Sequence, residues 1–405
     1  MPYYVGGVVG DVNKLIARTP EEFQEKQNIE VRILHEVIAI DPVKQRIQVR
    51  NLETNKEWWE PYDRLMFATG AVPIRPDVPG ADAHGIYGAD TLKIAIELNK
   101  ILDRKECKRA VIVGGGYIGL EMAEALTLRG LSVCLIEQAA EVMNTLDSDM
   151  GALVSEALEE AGVKLYRQES FKNFDVRDNR VRAVITDRRE IPSDIVILGL
   201  GVRPNTCLAK QAGIPLGVKD GVKVNDRMQT RVENIWAAGD CVESFHLVSK
   251  RPFYVALGTV ANKQGRVAGI NIGGGDATFP GVVGTAISKI CEVGVSRTGL
   301  QAKEIEQLGL DYVSTVIKSK TRAGYYPSAE VITVKILAEK SSGRLLGGQI
   351  VGKDDAAKRI DILATALHAG FAVQEMIHLD LSYAPPFSPV WDPVLIAVRQ
   401  AMKKI

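Results

Sequence analysis

The chain has 405 residues, of which 46% are apolar, enough for two or three domains with their own cores. Its 50 Lys and Arg balance 50 Asp and Glu, so no overall field draws it to nucleic acid or to an anionic membrane surface. The longest apolar runs fall well short of the roughly 20 residues a membrane helix needs. The start, MPYYVGGVVGD, is not a secretory signal. The 5 dispersed cysteines form no C-x-x-C pair and no metal-ligand spacing, which argues against a metal site or a disulfide framework and for a reducing, cytoplasmic setting.

From Ile29 to Val49 the short runs VRILHEVIAID and RIQVRN, with turn chemistry at Asp41 and Pro42, predict antiparallel strands. YDRLMFATGAVP, residues 62–73, predicts a buried strand that breaks at Thr69 and Gly70. The connector through Pro76, Pro79 and Gly80 predicts a domain boundary. From about Ala89 to Arg203 helical and strand patterns alternate, as a parallel α/β sheet requires. From Phe279 the runs VSTVIKSK, EVITVKILAE and LLGGQIVG, the helical AAKRIDILATALHAG and a Pro-rich tail predict a separate α+β domain.

Residues 109–137, RAVIVGGGYIGLEMAEALTLRGLSVCLIE, read as a complete strand–turn–helix–strand unit. Gly114, Gly116 and Gly119 supply G-x-G-x-x-G directly after the strand. The first glycine permits the tight turn, the second lets backbone approach a pyrophosphate, and the third lets helix pack on strand. A helix from about Tyr117 to Arg129 then directs its N-terminal amides at the phosphates. Glu137 ends the next strand, where a carboxylate can accept from a ribose hydroxyl and repel a 2′-phosphate, favouring NADH over NADPH. A second signature, TRVENIWAAGDC at residues 230–241, is a strand ending in Gly239 and Asp240.

The segments ATGAVP (68–73), GGGYIGLE (114–121), LGLGVRPN (198–205) and NIWAAGD (234–240) occur in the order of the pyridine nucleotide-disulfide oxidoreductase family, which the chain resembles over nearly its whole length. GTVANKQGRVAGINI and KRIDILATALHAG resemble the branch of coenzyme A-disulfide reductases and NADH oxidases. The resemblance implies an α/β flavoprotein with two dinucleotide-binding domains, like glutathione reductase, and an α+β C-terminal dimerisation domain. The expected division is an FAD-binding part at 1–76, an NAD-binding domain at 77–203, a second FAD-binding part at 204–277 and a dimerisation domain at 278–405.

By the same resemblance, Asp240 would bond the FAD ribityl chain and Gly239 would give the backbone room. Val37 would touch the adenine, and Ala68, Thr69 and Gly70 would line the cofactor, with Gly201 beside them. Ala256, Leu257 and Gly258 would bring a helix N-terminus to the flavin pyrimidine. Tyr117, followed by Ile118, resembles the aromatic gate over the flavin, and Glu121 shares its helix face. In this branch electrons pass from flavin to a cysteine in a C-G-x-P-Y-Y-x-G-G motif, which Met1-Pro2-Tyr3-Tyr4 enters part-way. The first FAD-binding segment and the redox cysteine are therefore expected upstream of Met1, and the chain alone is expected to be impaired. Cys107, Cys134 and Cys241 read as inert.

YAPPFS in the tail resembles the coenzyme A-disulfide reductases, in which Tyr383 would protonate the departing thiolate across a homodimer. Tyr325 and Tyr326 both resemble a second site tyrosine. The implied activity is reduction of coenzyme A disulfide or a related polysulfide by NADH through FAD. An NADH oxidase or peroxidase, and an inactive nucleotide-binding fragment, are the alternatives.

Overall fold

The structure, a computed structural model, describes residues 1–88 and 91–405. Ala89, where the alternation of helix and strand is expected to begin, lies outside the described residues. The central unit is a five-stranded parallel sheet in the order Ile86–Gly88, Ile195–Leu198, Arg109–Val113, Ser132–Glu137, Lys164–Arg167. Parallel strands are covered on both faces, so their residues alternate between two cores rather than between core and water. Ala110 and Ile112 pack with Leu120, Leu126 and Leu158 of the flanking helices. Val111 and Val113 point the other way, into a cluster with Val184, Ile191 and Val196.

That second core depends on an element the alternation did not foresee. Phe171–Arg177, Arg180–Thr186 and Glu190–Pro192 form an antiparallel meander that covers the sheet where a helix was expected. The reason is local: Asp178 and Asn179 both adopt positive φ, at 50° and 55°, which makes the two-residue turn suited to a hairpin.

Before this unit, His35–Asp41, Arg46–Asn51 and Glu57–Pro61 form an antiparallel sheet. The first two strands follow the predicted pattern, and the third, EWWEP, extends it. Leu65–Phe67 pairs in parallel with Ile235–Ala237 across a long stretch of sequence. Residues around 235 thus return to the body that residues around 65 began, and Phe67, Ile235, Ala237 and Cys241 share one core.

The C-terminal body is a five-stranded antiparallel sheet in the order Ala286–Ile290, Val293–Gly299, Leu345–Gly352, Val331–Glu339, Tyr312–Lys320. Helices Ile360–Ala369 and Pro393–Met402 cover it, with Leu363, Val394 and Val398 on Ile336 and Ile350. Its Lys335 is joined to the central unit, with Nζ 2.9 Å from Asp147 and 2.7 Å from Asp149.

His246 gives the fold a pH dependence. The imidazole is buried, lies edge-on to Phe253 and accepts from the Ser249 amide at 3.2 Å. Burial outweighs the other influences and holds its pKa down at about 4. The unfolded chain binds this proton more readily, so the stabilisation is fully present above the ordinary value of roughly 6.5 and is lost as pH falls toward about 4. Stability is expected to drop by about 2 kcal/mol from this group between pH 7 and pH 5. Denaturant unfolding of wild type and His246→Gln at both pH values checks it: the variant should show the shallower slope, and equal slopes contradict the assignment.

Candidate functional site: two dinucleotide turns

Gly114 takes φ +101°, and a Cβ there would lie 2.5 Å from the Gly199 carbonyl oxygen. A Cβ on Gly119 would meet the Gly114 carbonyl oxygen at 2.1 Å. Strand, turn and helix approach each other more closely here than any side chain permits. Gly116 differs: its nearest neighbour to a built Cβ is 3.9 Å away, so the space above it is open. It caps helix Tyr117–Leu128 with no side-chain hydrogen bond, which leaves first-turn amides and the positive dipole end to an anionic ligand.

Glu137 stands at the expected strand end, but its carboxylate has a second task. It is buried, accepts from the Gly115 amide at 2.8 Å through Oε2 and from the Ala139 amide at 2.8 Å through Oε1. Each carboxylate oxygen keeps further acceptor capacity for a ribose hydroxyl. The tether fixes the turn before any nucleotide arrives, and the sequence pattern carried no sign of it. Glu137→Ala is expected to weaken NADH by about 1–2 kcal/mol, a charge-assisted bond's worth, and to lower the melting temperature by freeing the turn. Titration with NADH beside a thermal melt checks both; a change in neither would remove Glu137 from the site.

The helix that begins at Tyr117 faces the C-terminal body. Thr145 donates to the Tyr117 phenol oxygen at 3.4 Å, and the Thr145 carbonyl accepts from Arg297 at 3.2 Å. Burial raises the Tyr117 phenol pKa. Ser288 donates to Glu121 at 2.6 Å, and burial pushes that carboxyl up as well. Ile118 is exposed beside them.

The second turn is built around Gly239, at φ +84°. Its amide donates to Gln264 Oε1 at 2.9 Å, and Gln264 Nε2 donates to Ser244 at 2.9 Å. Gln264, wholly buried, is a partner of this turn that the sequence reading passed over, since a lone Gln inside GTVANKQGR has no distinguishing pattern. The Asp240 carbonyl accepts from Tyr254 at 2.9 Å, and burial raises the Asp240 carboxyl. A Cβ on Gly239 would lie 3.4 Å from Ala261, so the turn sits against the first turn of helix Gly258–Ile272. That 15-residue helix starts after Leu257 with no side-chain cap, and Ala256 precedes it, partly buried.

Thr69 Oγ1 donates to the Asn205 carbonyl at 2.6 Å, and the Asn205 amide donates to the Gly70 carbonyl at 2.9 Å. These bonds stitch ATG to LGLGVRPN, with Gly70 at φ +65° and Gly201 at φ +87°. Ala68 is exposed at the same turn, and Val37 lies at a register shift of its strand. A carboxylate for hydroxyl groups and an uncapped helix end for an electron-rich ring stand side by side, which fits the ribityl and pyrimidine ends of FAD.

Tyr383 and Tyr325 come together in the C-terminal body; Tyr325 is 79% exposed, so both remain available to a partner. Partial desolvation, then its hydrogen bond with Tyr325, raises the Tyr383 phenol. The two loops are joined by the Ala323 amide on the Pro385 carbonyl at 3.2 Å and by Arg359, which donates to Thr321 and Phe387 carbonyls at 2.8 Å. Tyr326 has no such tie to Tyr383; its amide closes a turn on Ala323.

Burial pushes the thiols of Cys107, Cys134, Cys241 and Cys291 up, the last to about 11. Cys207 is exposed. A thiol reagent on the native protein is therefore expected to modify Cys207 in its fast phase, the others reacting on unfolding. Peptide mapping that finds Cys241 modified first would contradict this. Among the described residues no His, Cys, Asp and Glu group is arranged to hold a metal, and no helix is long and apolar enough to cross a membrane.

Residues 4–265 match the pyridine nucleotide-disulphide oxidoreductase family, and residues 285–393 match its dimerisation domain. The NAD(P)H coenzyme A polysulfide/persulfide reductase of Pyrococcus horikoshii is 38% identical over 400 residues, covering 98% of this chain and 88% of that protein. The NADH oxidase of Methanocaldococcus jannaschii is 36% identical over 406 residues, covering 100% of this chain and 90% of its own. The solved structure of an NAD-dependent persulfide reductase from A. fulgidus superposes with a TM-score of 0.96 at 38% identity, covering 100% of this chain and 75% of that one. The chain belongs to the pyridine nucleotide-disulphide oxidoreductase family.

Proposed function

We propose that this protein is an FAD-dependent NAD(P)H oxidoreductase that reduces coenzyme A disulfide or a related polysulfide, working as a cytoplasmic homodimer. The observation that carries the reading is the presence of two uncapped helix ends in one chain, one beside Glu137 and one beside Asp240. The first would hold the pyrophosphate of NAD(P)H, with Glu137 on the ribose. At the second, Asp240 would hold the ribityl hydroxyls and the amides of Gly258 and Thr259 the pyrimidine edge. When bound, FAD supplies the two-electron relay between nicotinamide and disulfide. Amides aimed at the pyrimidine edge favour negative charge there, and the buried Gln264 fixes the Gly239 backbone that presents Asp240. The match to a dimerisation domain and the paired, exposed Tyr325 and Tyr383 support a site completed by a second subunit, with Tyr383 as the acid toward a departing thiolate.

The relatives include a coenzyme A disulfide reductase, a coenzyme A polysulfide/persulfide reductase and an NADH oxidase, so the two acceptors to separate are a sulfur–sulfur bond and dioxygen. Following NADH consumption with coenzyme A disulfide without air, and oxygen uptake without disulfide, separates the two. The proposal expects two thiols released per NADH; NADH oxidation only with oxygen would support the oxidase.

A further inference from the structure

The loop at 138–147, between strand Ser132–Glu137 and helix Ser148–Glu160, touches two parts of the molecule at once. Met143 in this loop takes φ +53°, a left-handed conformation that only glycine adopts freely, and its side chain is wholly buried. The Met143 amide donates to the Gly115 carbonyl at 2.7 Å, and the Met143 carbonyl accepts from the Leu146 amide at 2.7 Å. Gly115 is thereby held from both sides, because its own amide donates to Glu137. A backbone conformation of this kind persists only where the surroundings fix it.

The groups that fix it belong to the C-terminal body. The Asn144 carbonyl accepts from Gln301 Nε2 at 3.1 Å and from Lys303 Nζ at 2.9 Å. The Thr145 carbonyl accepts from Arg297 at 3.2 Å, and the Asp147 amide donates to Gln349 Oε1 at 2.9 Å. Arg297 and Gln349 are both buried and lie opposite each other on adjacent strands, so their side chains share one face of the sheet. Gln349 Nε2 has no hydrogen-bond partner among the described residues. A buried amide left half unpaired costs stability, so what Gln349 contributes here is its acceptor toward the loop.

We propose that Arg297 and Gln349 are positioning residues for the nicotinamide dinucleotide: they hold the loop, the loop holds Met143 in its left-handed conformation, and Met143 holds the Gly115 carbonyl of the turn at 114–119. This rests on the nicotinamide site proposed above and makes the C-terminal sheet a part of it. Linkage is reciprocal, so a dinucleotide bound at the turn also tightens the loop on the sheet.

The test uses ADP-ribose, a redox-silent probe, titrated calorimetrically into the full chain purified with FAD. Arg297→Lys keeps a positive charge beside Glu304 but loses the fork that reaches the Thr145 and Gly299 carbonyls together. Gln349→Met keeps the volume and loses the acceptor. Each should weaken ADP-ribose about fivefold, acting only through the loop. Val398→Ala is the control for general loosening, since Val398 packs with Ile336 and Ile350 on the helix-covered face of the same sheet. It should lower the melting temperature yet leave ADP-ribose within about twofold of wild type. Hydrogen exchange on wild type needs no variant: ADP-ribose should slow exchange of the Met143 and Asp147 amides as well as those of the turn. Unchanged affinity in Arg297→Lys and Gln349→Met, a loss in Val398→Ala as large as theirs, or protection confined to the turn would overturn the inference. Failure of ADP-ribose itself to bind wild type would instead bring down the nicotinamide site, and the inference with it.

Discussion

Gly116→Ala and Gly119→Ala are expected to fail in different ways, though both change one glycine of one turn. At Gly119 the new methyl would stand 2.1 Å from a backbone oxygen, and neither the strand bearing Gly114 nor the helix can retreat without opening the core around Ile112 and Leu120. A destabilisation of at least about 3 kcal/mol follows, in the range of severe overpacking. NADH binding should fall more than about 100-fold because the helix end is displaced. At Gly116 the methyl enters open space at an ordinary backbone conformation, φ −81°. Stability should change by less than about 0.5 kcal/mol, as for a tolerated surface change. Binding should still weaken about tenfold or more, since the methyl stands where a pyrophosphate would approach the backbone. Thermal melts and NADH titrations of the two variants read this out. Unchanged NADH affinity in Gly116→Ala would show that the open space is not the pyrophosphate seat.

Lys335 is expected to be the costliest single charge to remove. Its side chain is 7% exposed, and the Asp147 it pairs with is 9% exposed. Asp147 also accepts from the Ala302 amide at 3.0 Å, while its own amide donates to Gln349 at 2.9 Å. The pair therefore joins the central parallel-sheet unit to the C-terminal sheet. Removing one partner of a buried pair strands the other, so Lys335→Ala should cost about 3–5 kcal/mol. Lys335→Met with Asp147→Asn should recover much of that, because no uncompensated buried charge remains and the half-exposed Asp149 is solvated by water. Calorimetric unfolding of the two singles and the double measures the coupling. A loss below about 1 kcal/mol in Lys335→Ala would mean that the clamp carries little.

The loss in Lys335→Ala could not have been foreseen from sequence, and the reason is general to this chain. Local features were legible: the strand before Gly114, the helix from Tyr117 and the strand ending in Glu137 are where their periodicity and glycines put them, and the helix from Gly258 is where the family resemblance put it. The family was legible because several such features recur in order. Polar partnerships formed at a distance were not. Nothing near Glu137 announces that it accepts from Gly115, nothing marks Gln264 as the partner of Gly239, and nothing in LGLGVRPN tells that Asn205 closes on Gly70. The meander at 171–192 was hidden for another reason. Its turn residues are Asp178 and Asn179 rather than a glycine pair, and its strands carry many charges on their outer face. That Tyr325 meets Tyr383 is visible only in the fold, where the two loops join at Pro385.

The central claim is that NAD(P)H and FAD meet on this protein as electron donor and relay. The direct measurement is the visible spectrum of the protein purified with FAD and freed of unbound flavin, recorded without air as NADH is added. The account predicts that the retained flavin band bleaches as NADH is added and returns when an electron acceptor is supplied. A retained flavin that dithionite bleaches and NADH leaves untouched would contradict it.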